Sequence, residues 1–243
     1  MTRVRRVHHE RVPGPGGIVR LEPEEAHHVA HVLRLRPGEA LSVFDGRGGE
    51  WEATVRATGR EGVEILVGER RADRVDPPLP LTLYQGMCRA DRMEWVIQKA
   101  TEIGACEIRP VLTHRAEERP PSPARLERWR KIAREASKQS GRRLVPWVGE
   151  PGEPPAEVPE GTLGLLLVPS HSVPPLGTAV GPSPVAVWVL VGPEGGLEGG
   201  EIAGLARGGW RPVSLGPRTL RTETAGIVAC ALVLHVWGDL GSA

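Results

Sequence analysis

The chain has 243 residues, of which 40% are hydrophobic and 25% charged, and its formal net charge is +1. That balance is that of a soluble globular protein with core enough for two domains, and not that of a disordered chain. No apolar run approaches the roughly 20 residues that span a bilayer, and the basic N-terminus has no apolar stretch behind it, so neither a membrane protein nor a secreted one is expected.

Residues 1–72 read as β-rich. Ala26, Val29, Ala30 and Leu33 recur at helical spacing and predict one short helix from Pro23 to Leu35. Three stretches, 40–46, 51–57 and 62–67, alternate or run apolar around turns at Asp45-Gly46 and Gly48-Gly49. Short strands with a single helix suggest a small β-barrel. Residues 73–80, with three prolines, read as a linker.

From 81 to 243 strands alternate with helices, the pattern of an α/β domain. Leu81–Gln85 is a strand. Met93, Val96, Ile97, Ala100 and Ile103 form one helical face that stops at Gly104, and Ile108–Leu112 is the next strand. Leu126, Trp129, Ile132, Ala133, Ala136 and Ser140 predict a second amphipathic helix. After an acidic loop from Pro151 to Gly161, the runs 163–168 and 185–191 are continuously apolar, as parallel strands covered on both faces are. The last helix is predicted from Thr222 to Trp237.

Charge is unevenly spread. Between Arg115 and Arg143 there are ten Lys or Arg against four Glu, and Arg3, Arg5, Arg6 and Arg11 crowd the start. Arginine binds phosphate as a planar fork. A GC-rich genome gives the same bias, so the clusters alone do not assign a nucleic-acid partner. Cys88, Cys106 and Cys230 are odd in number and far apart, which reads as reduced thiols of a cytoplasmic protein. His27 and His31 lie four apart, but no further ligands stand at suitable spacing and no metal is expected.

Ligands of open α/β sheets bind beyond the carboxyl ends of the strands. Three such ends stand out: Leu167-Val-Pro-Ser-His171, Val191-Gly-Pro-Glu-Gly-Gly-Leu197 and the segment Ser214 to Ala225. The spacing of Gly192, Gly195 and Gly196 fits neither a dinucleotide fingerprint nor a phosphate loop. Taken alone it suits an ordinary strand-to-helix turn as well as a ligand loop. In the third segment Thr222 can cap the last helix, Leu215 and Leu220 can line an apolar slot, and Arg218 and Arg221 bring two cations to one loop.

In these segments the chain resembles the RsmE family of SPOUT RNA methyltransferases. The likeness is carried by His28-Val-Ala-His-Val-Leu-Arg-Leu-Arg-Pro-Gly38, Trp95-Val-Ile-Gln-Lys-Ala-Thr-Glu-Ile-Gly104, Glu135-Ala-Ser-Lys-Gln-Ser-Gly-Arg142, Val191-Gly-Pro-Glu-Gly-Gly196 and Leu215-Gly-Pro-Arg-Thr-Leu-Arg-Thr-Glu-Thr-Ala225. Lys138 departs from it, standing where the family more often has Glu. The resemblance implies a PUA-like RNA-binding β-barrel over 1–72, a linker over 73–80 and a trefoil-knotted SPOUT domain over 81–243, usually in a homodimer. It implies S-adenosylmethionine as cofactor, held by Leu167, Val168, Gly192, Pro193, Leu215, Gly216, Leu220, Thr222 and Ala225. The substrate it implies is a uridine of 16S rRNA in the small ribosomal subunit, methylated at N3. RNA contacts are expected at Arg3, Arg5, Arg6, Arg34, Arg142 and Arg218. Uracil N3 must lose a proton, and the charge then spreads over O2 and O4, where Arg221 can stabilise it while Glu194 accepts the proton. Arg221 could equally hold a phosphate, and Glu194 could only brace its turn. A ribose 2′-O-methyltransferase and a non-catalytic RNA-binding assembly factor are the competing functions.

Overall fold

The computed structural model describes residues 5–60, 62–72, 76–170, 172–178 and 181–241, and the chain forms two compact units. Residues 77–136 and 146–241 belong to one of them; the other combines the N-terminal part, to Asp76, with residues 137–145. Arg3 and His171 lie outside the described residues, as do residues 73–75 of the predicted linker.

The first unit holds a five-stranded sheet in the order β1-β3-β4-β5-β2, from Arg6–His8 (β1), Ile18–Arg20 (β2), Ala40–Phe44 (β3), Glu50–Gly59 (β4) and Gly62–Arg70 (β5). β1 runs parallel to β3 and the other pairs are antiparallel. Val7 of one edge strand and Val19 of the other share a core with Val43, Val55 and Ile65, so the sheet curls around one interior as a small barrel does. The predicted helix starts with Pro23 at its first turn, where a missing N–H costs nothing, and runs as α-helix only to His27 (α1). Residues His28–Leu33 widen into a π-helical turn that ends on Arg34 at φ 56°, a left-handed conformation.

A buried carboxylate organises this unit. Glu50 accepts from Arg6 Nε at 2.9 Å, Ser42 Oγ at 2.7 Å and Arg143 Nε at 3.1 Å. Arg6 also donates to the carbonyls of Ser137 (2.9 Å) and Arg142 (2.7 Å). Asp76 accepts from Arg142 Nε and from the backbone N–H groups of Arg143 and Leu144 at 2.9–3.1 Å. Lys138 pairs with Glu25 at 2.9 Å, both side chains nearly buried, which gives this departure from the family pattern a structural partner. These contacts are what draw residues 137–145 into the first unit. They also correct the sequence reading: Arg6 and Arg142 are 4% and 3% exposed and committed to carboxylates and carbonyls, so neither is available to RNA phosphate.

The second unit carries a six-stranded parallel sheet in the order β11-β9-β10-β6-β7-β8. Its strands are Leu81–Gly86 (β6), Glu107–Val111 (β7), Trp147–Val148 (β8), Thr162–Leu167 (β9), Ala186–Val191 (β10) and Arg211–Val213 (β11). The helices are Ala90–Ile103 (α2), Pro123–Ser140 (α3, whose last residues join the first unit), Gly199–Arg207 (α4) and Thr222–Trp237 (α5). Gly104 ends α2 at φ 133°, which explains why the helix stops there. Tyr84, Trp188 and Trp210 cluster beside the sheet with ring centroids 5.2–5.9 Å apart, while α5 packs on β6 and β10. On α3, Leu126, Trp129, Ala133 and Ala136 are buried as predicted, but the buried serine is Ser137 and Ser140 is exposed.

The Glu50 cluster gives a pH prediction. Burial alone would raise its pKa; the hydrogen bonds from Arg6, Ser42 and Arg143 outweigh that and hold it below 4.5. A depressed carboxylate stabilises the fold above its unfolded pKa and loses that contribution as pH falls through its folded value. The urea midpoint of the first unit should therefore fall as pH drops below 4.5, and Glu50→Gln should flatten that dependence. At pH 7, Glu50→Ala should cost about 3–5 kcal/mol, because it strands buried guanidinium groups.

Candidate functional site

Strand register decides where the chain leaves the sheet. Val191 lies opposite Gln85 on one side and Leu167 on the other, and Leu167 lies opposite Val213. Four neighbouring strands thus end in line, and the segments that follow them meet. Beyond those ends is a cavity of about 690 Å³, within the roughly 300–1,000 Å³ usual for small-molecule clefts. Its walls are Leu167–Pro169, Val191–Leu197, Ile202, the segment from Leu215 to Thr222 without Pro217, Ala225, and two arginines from elsewhere, Arg92 and Arg115.

All nine residues that the resemblance implied for the cofactor line this one cavity, together with Glu194, Arg218 and Arg221. The floor is apolar and buried at Leu167, Pro193 and Ala225; Glu194, Arg218 and Arg221 are exposed at the rim. Gly216 lines the wall at φ 102°, a conformation that favours glycine, and a Cβ there would meet open space. Gly192 is tight for a different reason: its Cβ would stand 3.0 Å from Leu197 Cγ, inside the loop itself.

Thr222 is not the cap of α5. Arg221 holds that position, no side chain caps the helix, and the Thr222 hydroxyl instead donates to the Gly192 carbonyl at 2.6 Å. Its partner is a side chain that the sequence reading placed only in a strand: buried Gln85, whose Nε2 donates to Thr222 Oγ1 at 2.8 Å.

Arg92 was also missed. It stands in the first turn of α2, ion-paired with Glu194, and its Nε lies 3.6 Å from Glu223 Oε1. Arg115 reaches the same loop, with its guanidinium 3.4 Å from Gly195 O and 3.5 Å from Glu198. No signal in the sequence links these arginines to residues some 80 to 100 positions away. Burial, and then the charges of Glu223 and Glu194, push the Cys88 thiol up to about 12. It therefore stays protonated near neutrality and is no nucleophile. Of the remaining expected RNA contacts, Arg5 is half-exposed and paired with Glu39 at 3.2 Å, and Arg34 is exposed.

The close approach of β6 to the loop after β10 can be tested. A Cβ on Gly86 would collide with the backbone of Gly192 and Pro193. Gly86→Ala should thus cost about 1–3 kcal/mol in urea unfolding and speed hydrogen exchange across the loop that follows Val191. Unchanged exchange there would mean the loop does not rest on Gly86.

A family profile for an RNA methyltransferase domain matches residues 75–234, and one for an RNA methyltransferase PUA domain matches residues 21–68. The ribosomal RNA small subunit methyltransferase E of Synechocystis sp. is 37% identical over 222 residues, covering 88% of this chain and 72% of its own. Its namesake from Mycobacterium tuberculosis is 32% identical, covering 91% and 88%. The crystal structure of the Neisseria gonorrhoeae ribosomal RNA small subunit methyltransferase E bound to S-adenosyl methionine has a TM-score of 0.89 and 32% identity, covering 97% of this chain and 99% of that one. A Legionella pneumophila structure in complex with bound SAM has a TM-score of 0.87 at 30% identity, covering 98% and 100%. The likeness spans a PUA domain and a parallel α/β domain at identities of 30% and above, and the chain belongs to the ribosomal RNA small subunit methyltransferase E family, as an RNA methyltransferase.

Proposed function

We propose that this enzyme uses S-adenosylmethionine to methylate N3 of a uridine in 16S rRNA of the small ribosomal subunit, in the cytoplasm and as a homodimer. The observation that carries the reading is the convergence of three loops on one cavity with an apolar floor and an arginine-bearing rim. The cavity suits the cofactor: it is large enough, its floor at Leu167 and Ala225 can cover an apolar face, and Gly216 lets backbone approach closely. When bound, the cofactor supplies an electrophilic methyl group. The Neisseria gonorrhoeae relative, bound to S-adenosyl methionine, supports this choice.

The chain's own residues then have defined tasks. The cavity walls hold donor and acceptor in line, which removes much of the entropic barrier. Arg221, exposed at the rim where α5 begins, faces the charge that develops on uracil O2 and O4. The uncapped first turn of α5 adds the partial positive charge of its amides at the same place. Glu194, held by Arg92, is the acceptor for the N3 proton. Arg218 at the rim, and Arg5 and Arg34 on the PUA domain, are surface cations for RNA phosphate; Arg3 is kept in that set on sequence grounds. Dimerisation is supported by α5, whose outer side carries Ile227, Val228 and Leu232 where a solvated helix would carry charge.

The deciding experiment is methylation in vitro of small subunits from a strain that lacks the modification, followed by nuclease digestion and mass spectrometry. Uridine methylated on N3 is expected; a methyl group on ribose, or no transfer, overturns the reading. In single turnover at saturating RNA and cofactor, Arg221→Ala should slow transfer about 10²–10³-fold while Arg221→Lys rescues in part. An unchanged rate with weakened RNA binding would make Arg221 a phosphate anchor. Glu194→Gln should slow the same step about 10²-fold; a normal rate would leave the proton to water.

A further inference from the structure

We infer that Gln85 is a positioning residue for the cofactor loop, acting through the hydroxyl of Thr222; this rests on the S-adenosylmethionine reading of the cavity. Gln85 lies near the end of β6, is fully buried, and is not among the residues that line the cavity. Its Nε2 donates to Gly86 O at 3.3 Å and to Thr222 Oγ1 at 2.8 Å. A carbonyl only accepts, so Gly86 O fixes which side of the amide carries nitrogen. Thr222 has one hydroxyl proton. Since its oxygen already receives the Gln85 N–H, that proton is directed to Gly192 O, 2.6 Å away.

The acceptor belongs to the Gly192–Pro193 peptide, and its other side has no slack: a Cβ at Gly86 would collide with that peptide. The peptide is therefore pressed on β6 and hydrogen-bonded to the first turn of α5. One hydroxyl joins the two walls that bound the cavity. Gly226, one helical turn beyond Thr222, leaves room for the Gln85 amide; any Cβ there would collide with Gln85 Oε1. That oxygen is buried without a hydrogen-bond partner among the described residues. An unsatisfied buried acceptor is destabilising, and an apolar side chain of equal length would avoid it. The amide is used only as a donor, and its donation sets the direction of the Thr222 proton.

The test measures affinity for S-adenosylmethionine by calorimetry, and separate KM values for cofactor and RNA, on the full chain and its variants. Thr222→Val removes the hydroxyl at constant volume and should weaken cofactor binding roughly tenfold, the loss of one well-made hydrogen bond. Thr222→Ser, which keeps the hydroxyl, should recover most of the affinity lost in Thr222→Val. Gln85→Met should weaken binding roughly threefold, and the double variant Gln85→Met/Thr222→Val should be no weaker than Thr222→Val alone, because both act through one proton. The KM for RNA should not move, whereas a general loss of structure would raise both. Normal cofactor affinity in Thr222→Val, or a double variant that multiplies the single effects, overturns the relay. If Thr222→Val does not fold, an unchanged affinity in Gln85→Met overturns it instead. Failure of the wild type to bind the cofactor would overturn the functional reading and not the relay in particular.

Discussion

Parallel pairing in register is the constraint on which the second unit depends. Leu167, Val191, Val213 and Gln85 stand side by side because each strand is hydrogen-bonded to its neighbour without slippage. A shift of one residue would turn every side chain to the opposite face of the sheet. β9 and β10 are apolar on both faces, so what opposes that shift is the fit of particular side chains against their neighbours, and core packing indirectly sets the positions of polar atoms in the loops beyond. Three separate chain segments meet there, and their meeting is a consequence of topology and not of local sequence.

The two units solve the problem of buried polarity differently. In the first, charges are neutralised in place: Glu50 and Asp76 gather guanidinium and backbone donors from segments far apart in sequence. In the second, the charged groups at the cavity stay near solvent, with Arg92 facing Glu194 and Arg115 facing Glu198. Buried pairs hold a fold with little dependence on salt, while exposed ones are screened and free to exchange partners. A site that must receive and release a charged polymer needs the second kind.

Local pattern made much of this legible. The last helix reads from Thr222 to Trp237, the bounds observed, although the cap position expected for Thr222 falls to Arg221. α2 stops at the glycine that the sequence marked. The three-residue strands β1, β2 and β11 were not legible, since so short a run shows no period. Nor was α4, whose first turn is rich in glycine. Arginine posed the harder problem. Arg6, Arg142 and Arg143 look like surface cations until Glu50 and Asp76 are seen beside them, 44 to 93 residues away. The same distance effect hid Arg92 and Arg115, which reach the cavity from other elements. The three loops and their residues were found because strand ends point to them; a trefoil knot is an expectation from the resemblance alone, since no periodicity encodes threading.

The inclusion of residues 137–145 in the first unit bears on how the protein is made. During synthesis the strands β1 to β5 emerge with Glu50 and Arg6 already present, but Arg143 and the carbonyls of Ser137 and Arg142 are still unmade. Until residue 145 leaves the ribosome, the N-terminal sheet has a buried charge cluster that lacks part of its coordination. Domains usually mature in the order of their synthesis. Here the N-terminal one must wait for more than half of the chain, and it cannot be excised intact by cutting at the end of its last strand.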